Sequence, residues 1–435
     1  MWNPAAECQS RAEREALQLG RLRETLAWAA SRVPFYRERL PAEPVRDLGD
    51  LARLPFTRKS DLREHYPFGL FAVPQPDVAR IHASSGTRGK PTVVGYTAGD
   101  LDVWNEVMAR VMVAAGARAG DLLHVAFGYG LFTGGLGFHQ GAERIGMTVV
   151  PASSGNTARH CLLLHDLRPA GLCATPSFAL HIAETLADQG VKAGALGLRY
   201  GMFGAEPWTQ GVRRALEAGF GLRAHDVYGL SEIVGPGVSG ECEARDGLHI
   251  ADDHFLPEIV EPETGRPLPP GRQGELVLTT LTKRALPMIR YRTGDITTLS
   301  LEPCRCGRTS ARMARLVGRA DDMLVIKGVN VYPSEVEGAL LDVGELVPQY
   351  QLVVDRRTTL ARVEVQVEPA PAFLARCGAL DPGLPAVAAL REHVAARLRG
   401  ALGLAVEVTL VPPRTIPRSE GKAVRVIERT EDARR

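Results

Sequence analysis

Five short apolar runs bounded by glycine or proline constrain the fold of this chain more than any other feature: LLHVAFG (122–128), MTVVPAS (147–153), AGLCATP (170–176), RYGMFGAEP (199–207) and AHDVYG (224–229). Between them lie FALHIAETLADQG (178–190) and TQGVRRALEAGF (209–220), whose apolar residues recur at helical intervals. Short strands alternating with helices predict an α/β fold with a mostly parallel sheet flanked by helices. Ligands in such sheets bind at the carboxyl ends of the strands, so the polar and Gly-rich segments that follow these runs are where chemistry is expected.

The flanking regions read differently. Residues 8–32 are rich in Ala, Leu, Arg and Glu, with Leu17, Leu22 and Leu26 near helical spacing, and predict an amphipathic helix ended at Pro34. From about residue 240 the texture becomes antiparallel, with ELVLTTLT (275–282) after the turn-rich EPETGRPLPPGRQG. A further shift near 320 introduces MLVIKG, YQLVVD, RVEVQVEP, a helical stretch at 386–402 and VEVTLVPP, a small α+β domain. The boundary is placed at Arg319 to Asp322, dividing the chain into a large domain, 1–320, and a small mobile one, 321–435.

Composition excludes several classes. With 52 basic and 50 acidic residues and no basic stripe, nothing points to nucleic acid. No apolar stretch approaches the roughly 18 residues of a membrane helix, and the first twenty residues lack the apolar core of a signal peptide, so a cytoplasmic protein without membrane association is expected. Seven cysteines, an odd number in a long chain, argue for reduced thiols or a metal site over a disulfide framework.

The segment Ser84-Ser85-Gly86-Thr87-Arg88-Gly89-Lys90-Pro91 concentrates hydroxyls, two glycines and a lysine in eight residues. Glycines let backbone N–H groups converge, hydroxyls add donors and Lys90 adds charge, which together suit a polyphosphate better than an ordinary surface turn. A Walker A loop would need Gly at 84 and Ser or Thr at 91, where this chain has Ser84 and Pro91, which argues against a P-loop NTPase.

ASSGTRGKPTVVGYT (83–97), FGAEPW (203–208), DVYGLSE (226–232), RYRTGD (290–295), GRADDMLVIKGVNVYPSEVE (318–337) and IPRSEGKAVRV (416–426) follow in this order. The set resembles the ordered signature of the adenylate-forming acyl-CoA synthetases, and its wording is most similar to the phenylacetate-CoA ligase family, from about residue 30 to the C-terminus. The resemblance implies an ATP-dependent aryl acid:CoA ligase that forms an acyl-adenylate and then a thioester, releasing AMP and pyrophosphate. Ser84, Ser85, Gly86, Thr87, Gly89 and Lys90 would hold the β- and γ-phosphates. Gly204, Ala205, Tyr228 and Gly229 would border adenine, with Glu206 and Ser231 completing the ATP site. Glu232 would coordinate Mg²⁺, Asp295 with Arg319 would hold the ribose, and Asp321 would be the hinge between domains. Lys422 would bridge the reacting carboxylate and the α-phosphate, and the segment from Lys327 to Val331 would serve the thiol step. The resemblance also implies a homodimer.

Only six of the 52 basic residues are lysine: Lys59, Lys90, Lys192, Lys283, Lys327 and Lys422. Three of them fall inside these motifs. A compact, mobile ammonium fits between two oxygens where a planar guanidinium does not.

The acid pocket is expected from YGLFTGGLGFHQGAE (129–143) and IVGPG (233–237), with Tyr129, Phe132 and Phe138 as apolar walls and Gly135, Ile233 and Pro236 around them. Phenylacetate ligases usually carry a smaller residue at the position of Phe138 and an aromatic one at Gln140, and Arg88 stands where Thr is usual. A polar Gln140 beside the ring would suit a hydroxy- or amino-substituted benzoate. The alternative function is therefore adenylation of such an acid with transfer to a carrier-protein thiol, an amine or a hydroxyl. A non-enzymatic nucleotide binder on the same scaffold would have no need of Glu232, Asp295 and Lys422 together. Finally, Cys242 and His249 (C-x6-H) with Cys304 and Cys306 (C-x-C) form a Cys₃His set suited to structural zinc; otherwise these thiols serve as small hydrophobes.

Overall fold

The computed structural model describes residues 1–84, 91–320, 323–326, 329–355 and 362–429. A nine-stranded sheet forms the centre. Its parallel half runs Thr148–Val150, Leu122–Val125, Gly171–Ala174, Tyr200–Gly204 and Arg223–Leu230 across the sheet. Helices at Thr133–Ile145, Thr157–Leu167, Pro176–Asp188 and Gln210–Phe220 make the crossovers. These are the five apolar runs of the sequence, and burial on both faces of the inner strands, such as Gly171–Ala174 and Tyr200–Gly204, explains why those read as continuous rather than alternating.

The other half is antiparallel, continuing through Gly235–Glu241, Leu248–Ile250, Arg312–Met313 and Leu299–Ser300. The five runs pair in parallel throughout, as expected, and the antiparallel strands begin at Gly235, near where the sequence changes texture; both belong to one sheet, so four of its eight pairings are antiparallel. Strands of two and three residues are too short to show a period.

The N-terminal helix spans Arg11–Arg32 and starts with a capping box in which Ser10 and Glu13 bond reciprocally. Pro34 does not simply end it but opens the next helix, Pro34–Arg39, at its first position, where a missing N–H costs nothing. The buried stripe is Arg14, Gln18, Leu22, Thr25 and Ala29; of the three leucines read as its apolar face only Leu22 is fully buried. Polar partners explain the exchange. Arg14 pairs with Asp252, Gln18 donates to the Asp252 carbonyl at 2.7 Å, and Thr25 donates to the Leu281 carbonyl at 2.9 Å.

A separate antiparallel sheet of Phe255–Val260, Gly274–Thr280, Tyr291–Thr297 and Gly318–Arg319 packs beside the main one. Beyond it, a four-stranded sheet (Glu407–Leu410, Arg362–Pro369, Leu346–Asp355, Val426–Arg429) has its own apolar core with helices Pro333–Leu341 and Pro385–Leu402. Among the described residues, no helix is long and apolar enough to cross a membrane.

Candidate active site

The carboxyl ends of the parallel strands open into a cavity of about 370 Å³ that the C-terminal part of the chain closes with Lys422. One end is aromatic. Phe127 follows Leu122–Val125 and stacks on Phe138 with ring centroids 5.2 Å apart and planes at 7°, while Phe132 and Pro236 complete that wall. Phe132 immediately precedes the helix Thr133–Ile145, so its position follows from the strand–turn–helix geometry.

The other end is polar. Gly204 ends the strand Tyr200–Gly204, and a Cβ there would lie 2.0 Å from the Val227 carbonyl oxygen; only glycine permits this approach. Ala205 follows at φ +71°, a strained conformation for a residue with a side chain, of the kind found at functional sites. Glu206 accepts from the Ser177 amide at 2.7 Å and also from its hydroxyl. Tyr228 donates to Asp295 Oδ2 at 2.6 Å, and Arg319 donates to Asp295 Oδ1 at 3.0 Å. Cross-strand pairing of Asp295 with Arg319 sets the latter contact. Burial, reinforced by the Asp295 charge, raises the Tyr228 phenol well above its ordinary value, so it remains a donor.

Between the two ends stand Ser231 and Glu232, on the tight connection between Arg223–Leu230 and Gly235–Glu241. Two buried groups fix this turn. Tyr96 donates to the carbonyls of Ser231 (3.3 Å) and Val234 (3.0 Å), and Lys283 donates to that of Glu232 (3.2 Å). The Glu232 carboxylate lies 3.7 Å from Lys59 Nζ. Lys422 Nζ lies 5.9 Å from the Phe132 ring centroid, where the aromatic end meets the polar one. Burial lowers its pKa from the usual lysine range, opposed by the negative charge of Glu206 and aided by Arg319 and Lys59.

Of the sequence-derived phosphate loop, Ser84 reaches the cavity wall, and its buried hydroxyl has no hydrogen-bond partner among the described residues. Ser85, Gly86, Thr87, Arg88, Gly89 and Lys90 lie outside the described residues, as do Asp321 and Lys327. Gly204, Ala205, Glu206, Tyr228, Gly229, Ser231, Glu232, Asp295, Arg319, Phe132, Phe138, Pro236 and Lys422 all line the cavity.

Three expected pocket residues stand off its wall. Tyr129 turns to His139, with Oη 3.2 Å from Nδ1; Gly135 lets its helix approach Gly128, whose carbonyl oxygen a Cβ would meet at 2.7 Å; Ile233 is fully buried in the core. Gln140 is also engaged elsewhere, because its carbonyl accepts from Arg80 at 2.7 Å. It is not among the residues that line the cavity. Lys59, Phe127, Thr133, Trp208 and Asp226 are wall residues that sequence reasoning missed, and only the scarcity of lysine could have singled out Lys59.

About the antiparallel half of the sheet, the ligand atoms of Cys242, His249, Cys304 and Cys306 lie within 4.8 Å of one another. His249 is oriented by Ser310, 3.2 Å from Nδ1, which leaves Nε2 facing Cys306 Sγ at 3.5 Å. The neighbours of this cluster touch the cavity: Leu248 precedes His249, Met313 pairs with Leu248, and both line the wall.

Comparison with known proteins places this geometry. The AMP-binding enzyme family matches residues 29–281, and the AMP-binding enzyme C-terminal domain matches residues 328–430. The phenylacetate-coenzyme A ligase of Thermus thermophilus is 53% identical, with 98% of each chain covered. That of Aromatoleum evansii is 48% identical over 97% of this chain and 96% of its own. Among solved structures, a 2-hydroxyisobutyryl-CoA ligase in the postadenylation state with its acyl-AMP matches with TM-score 0.92 and 32% identity, covering 98% of this chain and 92% of that one. The same ligase in its thioesterification state, with CoA, gives TM-score 0.72 over 98% of this chain and 91% of its own. This chain thus superposes more fully on the postadenylation form of that ligase than on its thioesterification form. On sequence and fold alike, the chain belongs to the AMP-binding, adenylate-forming enzymes, and among them to the phenylacetate-CoA ligase family, ATP-dependent acid:CoA ligases that work through an acyl-adenylate.

Proposed function

We propose that the acid is phenylacetate or a close arylacetate, that Lys422 drives adenylation, and that Mg²⁺ and a structural Zn²⁺ assist. The observation that carries this reading is the position of Lys422 Nζ beside Phe132, between the aromatic wall of Phe127 and Phe138 and the polar wall of Tyr228 and Asp295. A flat ring seated on the aromatic wall would present its carboxylate toward the lysine, and a ribose held by Asp295 would bring the α-phosphate to the other side.

A carboxylate oxygen is a poor leaving group. Attack of the carboxylate on the α-phosphate forms a P–O bond and expels pyrophosphate, giving a mixed anhydride; the thiolate of CoA then attacks its carbonyl and AMP departs. The first step needs mainly positioning and charge neutralisation, which the Lys422 ammonium supplies to both reacting oxygens. For the second, the small domain would turn about Asp321, withdrawing Lys422 and bringing in the segment from Lys327 to Val331. Ser84 to Lys90 would hold the outer phosphates, a role supported by the buried Ser84 hydroxyl, which has no hydrogen-bond partner among the described residues.

The buried Glu232 carboxylate, a hard oxygen donor on the cavity wall, fits a magnesium ligand, and the ion would neutralise phosphate charge when bound. Three thiols and an oriented imidazole within 4.8 Å fit tetrahedral zinc, which would tie the strands carrying Leu248 and Met313. Engagement of the Gln140 side-chain oxygen by Arg80 counts against a contact with a ring substituent and so supports an arylacetate over a hydroxy- or amino-substituted benzoate.

The test is acid-dependent ATP–pyrophosphate exchange over a panel of aromatic and aliphatic acids, with mass spectrometry of products with and without CoA. Phenylacetate should give the fastest exchange and, with CoA, phenylacetyl-CoA. No exchange with any arylacetate, alongside exchange with benzoates, would overturn the assignment.

A further inference from the structure

Lys422 sits on a loop, and four hydrogen bonds, in three residue-to-residue contacts on either side of it, tie that loop to the sheet-bearing part of the chain. Glu420 accepts from Thr157 through both its hydroxyl (3.0 Å) and its amide (3.4 Å), at the first residue of Thr157–Leu167. The Gly421 carbonyl accepts from Thr175 Oγ1 at 2.7 Å, and Thr175 is the N-cap of Pro176–Asp188. On the far side, the Ala423 amide donates to Glu206 Oε2 at 2.9 Å, while Glu206 Oε1 is anchored on the Ser177 amide of that same helix.

We propose that Glu420, Thr157 and Thr175 form a latch that registers the lysine loop for adenylation only, acting as positioning residues for Lys422. The bonds grip the backbone one residue before and one residue after the lysine, so a small displacement of the loop moves the ammonium off the line between the reacting oxygens. A carboxylate at a helix N-terminus is favoured by the unpaired N–H groups and the helix dipole there, which makes Glu420 a suitable but releasable anchor. Release matters. All three contacts join the C-terminal part of the chain to the sheet-bearing part in an arrangement that matches the postadenylation form at TM-score 0.92 and the thioesterification form at only 0.72. Rotation of the small domain would break them together, so the latch stabilises one of two states without contributing to the other.

This inference rests on the proposed role of Lys422, and the experiment separates the two. Glu420→Ala, Thr157→Val and Lys422→Ala are each assayed for phenylacetate-dependent ATP–pyrophosphate exchange and for CoA thiolysis of supplied phenylacetyl-adenylate. For the two latch variants, exchange should fall about tenfold in kcat at unchanged KM for acid and ATP, the scale of a lost hydrogen bond to a charged group. Thiolysis should stay within about twofold of wild type. Thr157→Ser, which keeps the hydroxyl, should restore exchange, and Glu420→Gln should restore part of it. Normal exchange in both latch variants, or equal losses in both half-reactions, overturns the latch. Normal exchange in Lys422→Ala would instead overturn the lysine's role, and the latch with it.

Discussion

Lys283 Nζ donates a 3.2 Å hydrogen bond to the carbonyl oxygen of Glu232 from a side chain closed off from water, with the Tyr96 ring 4.6 Å from its ammonium. Burial pushes its pKa down to about 8, partly offset by Asp100 and Glu232. In the unfolded chain it returns to about 10.4. Between those values the unfolded state binds the extra proton, so this residue makes stability rise with pH from about 8 to 10.4 and leaves it flat below. In urea unfolding at pH 7, 9 and 10, Lys283→Met should therefore lose stability relative to wild type as pH rises. A difference that is the same at all three pH values would contradict the burial account.

The bond from Tyr228 to Asp295 orients a carboxylate whose other oxygen Arg319 holds. Tyr228→Phe should raise KM for ATP about tenfold, the scale of a hydrogen bond to a charged group, and leave the acid KM unchanged. Initial-rate kinetics with each substrate varied decide this; an unchanged ATP KM would remove Asp295 from nucleotide binding.

Glu232 is held by its backbone carbonyl, so its carboxylate can be altered without releasing the turn. Glu232→Gln should shift the Mg²⁺ requirement for pyrophosphate exchange to higher concentration by about tenfold or more. A superimposable Mg²⁺ titration would move the ion elsewhere.

Cys304 Sγ lies 3.8 Å from Cys242 Sγ. Purified protein should carry one zinc per chain by elemental analysis, and Cys304→Ser should lose it together with several degrees of Tm. Absence of zinc from the wild type, or its retention at full occupancy in the variant, would reduce these residues to small buried side chains.

Much of this architecture was legible because it is local. The runs that became Tyr200–Gly204 and Arg223–Leu230 announce themselves by apolar content and bounding glycines, and Tyr228, Asp295 and Arg319 lie in recognisable motifs. What stayed hidden depends on register and distance. Thr157 meets Glu420 across 263 positions of sequence, and no periodicity in either segment signals the other. Lys59 reaches the cavity from a six-residue helix with no motif around it. Gln140 is a further case: its place near the aromatic segment suggests a substrate contact, and only the fold brings Arg80 to its side-chain carbonyl.

The central claim is that Lys422 acts in adenylation, and the most direct measurement compares the two half-reactions in Lys422→Ala. Pyrophosphate exchange should fall by about a hundredfold or more, the scale of a charge-stabilising donor removed from a transition state, while CoA thiolysis of supplied phenylacetyl-adenylate stays within about twofold of wild type. Exchange at the wild-type rate, or an equal fall in both half-reactions, would contradict the account.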